Sequence, residues 1–113
     1  MKPQTPSPKV IALINAGRKA LNLRPLRNIP KGRRDNCISC PIHNAFWTKG
    51  QYPGVRLVKI VQIPKIQGKS LAKAWGQRTR GTGDEVTVYL PKVLRTFIRR
   101  FDAGKYPELV TKS

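Results

Sequence analysis

Both cysteines and the lone histidine fall within seven residues, as Cys37-x2-Cys40-x2-His43. Thiolate sulfur and imidazole nitrogen are donors that zinc prefers, and Cys-x2-Cys is the spacing of a zinc knuckle. A structural zinc takes four protein ligands, and the chain has neither a second Cys-x2-Cys nor a His pair. Asp35, water or another subunit would have to complete the shell. A redox pair would need a thiolate stabilised at a helix start beside Arg33 and Arg34. The residues before Cys37 are Arg-Arg-Asp-Asn, however, and not the apolar strand a thioredoxin-like site requires. A third reading makes Cys37, Cys40 and Ile42 small apolar core residues at a loop-to-helix corner, with His43 at the surface or hydrogen-bonded. The missing fourth ligand favours this third reading. No bound metal or cofactor is therefore expected, and a zinc-knuckle binding module is the lesser alternative.

Acid–base and phosphoryl chemistry find little support. The acids are Asp35, Asp84, Glu85, Asp102 and Glu108, scattered along the chain, and no glycine-rich strand-to-helix phosphate loop accompanies them. The chain does not read as an enzyme. It reads as a polycation: 23 Lys and Arg against 5 Asp and Glu give a formal charge of +18 over 113 residues. Such an imbalance speaks of partners rather than of fold. Nucleic acids are the densest polyanions that could neutralise it.

Two sets of cations stand out. Lys92, Arg95, Thr96 and Arg99 recur at helical spacing opposite an apolar stripe, with Arg100 on their flank. Arg33 and Arg34 end one basic loop, and Arg78 and Arg80 sit in another. Arginines on such a face suit bidentate contacts with phosphates or guanine edges. The competing reading is a solvated basic face. Stacking aromatics are few: Trp47, Tyr52 and Trp75 are candidates, although both tryptophans suit a core. Double-stranded DNA is accordingly preferred to RNA. The rival partner is an acidic host protein, with one of those aromatics as its anchor.

These side chains need elements to hold them. Residues 1–7 read as a loose tail, and Ser7-Pro8 opens a helix through Leu21 with Val10, Leu13, Ile14, Gly17 and Leu21 inward. Residues 22–36 are irregular, given Pro25, Pro30 and Gly32, and Leu23, Leu26 and Ile29 pin them to the core. Pro41 opens a short helix over about residues 40–48, capped by Ser39 or Cys40. Val55–Ile63 reads as one nine-residue strand, apolar on both faces and hence central. Ser70–Gly76 suggests two helical turns capped by Ser70, and residues 78–84 a flexible basic loop. Val86–Leu90 alternates with Val86, Val88 and Leu90 inward. Pro91 begins a last helix with Val93, Leu94, Phe97, Ile98 and Phe101 buried and Gly104 capping it. Residues 105–113 form a tail whose Leu109 and Val110 dock on the core.

The segments C-x-x-C-P-I-x-x-A at 37–45, V-x-V-Y-L-P at 86–91 and F-D-A-G-x-Y-P-E-L at 101–109 resemble small basic proteins of actinobacterial phages. The resemblance spans a third of the chain and brings no functional residue with it. It implies a phage protein of the host cytoplasm that acts on nucleic acid or on a host protein. No apolar run reaches the roughly 18 residues that cross a bilayer, and the start lacks the apolar core of a secretion signal. A cytoplasmic protein with no membrane partner is expected. The fold expected is a single small α+β domain over residues 1–113. It has a short sheet, an N-terminal helix, a short Cys-Pro helix and a C-terminal helix.

Overall fold

A computed structural model describes residues 6–34, 40–46, 54–56, 59–81 and 83–111. The architecture is α+β. In chain order it runs α1 (Pro8–Ala20), α2 (Pro41–Phe46), β1 (Gly54–Arg56), β2 (Ile60–Pro64), α3 (Lys65–Trp75), β3 (Thr79–Arg80), β4 (Glu85–Tyr89) and α4 (Lys92–Asp102). The 3-10 turn Pro107–Leu109 follows. The strands form one antiparallel sheet in the order β1-β2-β4-β3. A radius of gyration of 13.4 Å is that of one compact domain of this length.

Helix α1 begins and ends by local chemistry. Ser7 Oγ accepts from the Lys9 amide at 3.2 Å, and Pro8 occupies the first turn. At the other end the Leu23 and Asn22 amides donate back to the Arg18 and Lys19 carbonyls. Asn22 takes the left-handed conformation, φ 60°, that this paired closure needs. The same pairing ends α4, where the amides of Gly104 and Lys105 reach Phe101 and Arg100. Loop 22–34 is irregular, as its prolines require. Asn15 fastens it by donating from Nδ2 to Leu26 O (3.0 Å) and accepting from Leu26 N (2.8 Å).

The strand over 55–63 is the main correction. The chain reverses within it, and β1 and β2 pair antiparallel with Val55 opposite Val61 and Arg56 opposite Ile60. A continuous strand would have put Lys59 on the same face as Val61 and Ile63, both of which are buried. An unpaired ammonium cannot share that face at acceptable cost, and in the turn Lys59 is exposed. The central position does hold for β2, which lies between β1 and β4.

Helix α3 likewise starts five residues before Ser70, which is no cap but an exposed mid-helix residue. Its start is set by tertiary contact. The Lys65 amide donates to Asp84 O at 2.8 Å, so no side chain is needed at the cap. Gly68 crosses β4 so closely that a Cβ there would lie 2.0 Å from Val86 Cγ2. Gly76, at φ 65°, ends the helix as the sequence suggests. The loop read over 78–84 contains the short strand β3, whose Thr79 and Arg80 oppose Val88 and Thr87.

The core gathers Val10 and Ile14 of α1, Ile42 and Phe46 of α2, Val61, Ile63 and Val88 of the sheet, and Leu94, Phe97, Ile98 and Phe101 of α4. Burying each large side chain contributes about 1.5–3 kcal/mol. Trp75 is buried edge-on to Phe46 (5.7 Å) and donates from Nε1 to Leu13 O at 2.8 Å. It is therefore no surface anchor; Trp47 and Tyr52 lie outside the described residues. Leu109 and Val110 pack on the core as expected, and Gly32 bridges to Val110. Tyr106 stacks on Phe97 at 5.4 Å and is buried as well.

Candidate functional site

The described part of the Cys-Pro helix is packed into the core through Cys40, Ile42, Ala45 and Phe46. Cys40 is buried, and its Sγ accepts from the His43 amide at 3.4 Å while its carbonyl accepts from Asn44. Cys40 thus occupies the capping position, and Ser39 lies outside the described residues. His43 is 6% exposed, which removes the surface half of its reading and leaves the hydrogen-bonded half standing; α2 is short and enclosed, and its described residues other than Asn44 are buried. Cys37 and Asp35 lie outside the described residues. Among the described residues no group of three His, Cys, Asp or Glu could hold a metal ion.

The cations of α4 take the positions their spacing predicts. At 3.6 residues per turn, Arg95, Arg99, Lys92, Thr96 and Arg100 fan over roughly 140°, opposite the buried Leu94, Phe97, Ile98 and Phe101. Lys92, Arg99 and Arg100 are exposed, and Arg95 and Thr96 half-buried. Arg34 meets the carboxyl end of this helix, donating from Nε and Nη2 to Asp102 O at 2.9 and 2.8 Å. It serves there as a helix cap as well as a cation. Arg33 is exposed beside it in sequence. Arg18, by contrast, is committed to the fold. Its guanidinium donates to Arg24 O and Ala45 O, and burial lowers its pKa from the ordinary value.

At the amino end of α4 the sheet contributes. Val61 pairs with Val88 and Ile63 with Val86 on the face that α3 covers. Pleating sends Ile60, Gln62, Thr87 and Tyr89 to the opposite face, where all four are half-buried. Arg80 opposes Thr87 and shares that face. Arg78 holds its guanidinium 5.8 Å from the centre of the Tyr89 ring. Between this corner of the sheet and α4 lies a cleft of about 540 Å³ lined by Lys59, Arg78, Arg95, Gln77 and Tyr89, with Ile60 and Leu90 as apolar wall. No acid lines it.

The structure thus brings Arg78 to Arg95 and Arg34 to the far end of the same helix. Lys92 and Arg100 flank a smaller depression of about 220 Å³ over Phe97 and Tyr106. Sequence reasoning missed Lys59, Gln77 and Tyr89. A signal for Tyr89 did exist, since the alternation in V-T-V-Y-L sends it outward. Lys59 and Gln77 gave none.

Compared with known proteins, the chain matches no family model, no curated protein and no solved structure. No described helix is long and apolar enough to cross a membrane.

Proposed function

We propose that this chain binds nucleic acid through the phosphate backbone, with double-stranded DNA lying along the outer face of α4. The observation that carries the reading is the make-up of that face: four cations and a threonine on one arc of one helix, in a chain of charge +18. Eleven residues make a rod of roughly 16 Å, the axial rise of about five base pairs at 3.4 Å each. Arg33, Arg34, Arg78 and Arg80 extend the positive field past both ends. Duplex DNA is preferred to RNA because a helix face of this length suits a groove and because the buried Trp75 leaves still fewer aromatics for stacking. The resemblance to small basic proteins of actinobacterial phages agrees with such a role in a host cytoplasm.

Fluorescence anisotropy with labelled duplexes at about 50 mM salt tests it. The triple variant Lys92→Gln, Arg99→Gln, Arg100→Gln should weaken binding by a similar factor on every sequence, since phosphate contacts carry no sequence information. A folded protein that binds no duplex and no single strand refutes the reading. Recovery of one stoichiometric acidic protein from nuclease-treated lysate would then favour the host-protein alternative.

A further inference from the structure

We infer that the cleft between α4 and the outward face of the sheet is a nucleotide subsite, taking one unpaired nucleoside phosphate. The inference rests on the nucleic-acid reading for its biological setting but stands on observations of its own. The cleft's volume of about 540 Å³ falls within the range of small-ligand sites. Its polar lining is cationic at Lys59, Arg78 and Arg95, which defines an anionic occupant.

A second observation points to the same ligand. Arg95 Nε is buried and has no hydrogen-bond partner among the described residues. Leaving a buried cationic donor unsatisfied is costly, and a phosphate oxygen would satisfy it with a charge-assisted bond. The third observation separates a nucleotide from a bare anion. The Arg78 guanidinium lies over the Tyr89 ring, 5.8 Å from its centre, and both kinds of planar group stack on bases. Gln77 supplies an amide that can both donate to and accept from a base edge. Phosphate toward Lys59 and Arg95, with the base on the Tyr89 side, uses the polar groups of the described lining.

The same chemistry is presented by an unpaired position of a strand and by a free nucleotide. The test therefore uses the full chain with three probes followed by NMR: inorganic phosphate, the four deoxynucleoside monophosphates, and a duplex with a short single-stranded overhang beside its blunt counterpart. Mononucleotides should bind at least 5-fold more tightly than inorganic phosphate and shift the Tyr89 ring protons upfield. Tyr89→Leu should weaken them roughly 5- to 100-fold, the loss of one stacked base, whereas Tyr89→Phe should retain them. Arg95→Gln should weaken phosphate and mononucleotide alike. If the overhang outbinds the blunt duplex and Tyr89→Leu abolishes the difference, the occupant is a strand nucleotide. If only mononucleotides respond, it is a free nucleotide. Mononucleotides binding no better than phosphate, or equally well to Tyr89→Phe and folded Tyr89→Leu, overturn the inference. Duplex affinity is read separately, so the cleft can fail while backbone binding stands, and the reverse.

Discussion

The crossing of α3 over β4 sets which face of the sheet turns outward, and Gly68 is the residue that permits it. In Gly68→Ala the new Cβ would meet Val86 Cγ2 at 2.0 Å and Ile63 Cγ1 at 3.4 Å. Ordinary carbon contacts lie near 3.5–4 Å, so the helix or the valine must move by about 1.5 Å. Val86 is 5% exposed and stiff at χ1, which leaves little room to give. Overpacking of this kind costs about 2–3 kcal/mol, and replacing a helical glycine by alanine returns about 1 kcal/mol. The net loss is about 1–2 kcal/mol, a fall in Tm of roughly 4–8 °C. Val86→Ala alone should cost about 2 kcal/mol through lost burial and a cavity. In that background the obstructing methyl is gone, and Gly68→Ala should raise stability by about 1 kcal/mol. Urea melts of the four proteins, followed by circular dichroism, close the cycle with a coupling of about 2–3 kcal/mol. If Gly68→Ala stabilises equally in both backgrounds, the glycine sits in open space and the crossing is wrong.

Three further outcomes follow from single contacts. Asn15→Ala removes both side-chain bonds to the Leu26 backbone, and should cost about 1–3 kcal/mol while hydrogen exchange at the Leu26 amide accelerates before that of the α4 core amides. Trp75→Phe leaves Leu13 O without its indole donor, and a urea midpoint should report a loss of about 1 kcal/mol or somewhat more. Arg34→Gln should lower the salt dependence of duplex binding less than Arg99→Gln does, because Arg34 is already engaged with Asp102 O; equal effects in parallel titrations would show that it leaves the helix end to meet phosphate.

What could be read in advance follows from how local the signal is. Ser7-Pro8, the stripe of α4 and the alternation of Val86, Val88 and Leu90 state their structures within a few residues, and all three are realised. The start of α3 could not be read, because its first amide is satisfied by Asp84 from the distant β3–β4 connection. The reversal inside residues 55–63 carries no glycine or proline; its one trace is the charge of Lys59 at a position of inward parity. The site divides in the same way. The helical spacing of Lys92, Arg95 and Arg99 marks one face directly. The cleft joins the β1–β2 turn, the entry to β3, the end of β4 and the first turn of α4, and only the folded chain brings these together.

The most direct test of nucleic-acid binding is a titration of one duplex at several salt concentrations. Neutralising roughly six phosphates should make log affinity fall with log salt at a slope near −5. Replacing one phosphate-contacting arginine, such as Arg99, should reduce that slope by about one unit and leave sequence preference unchanged. A slope near zero for a folded protein that still bound the duplex would contradict backbone recognition by this cationic face.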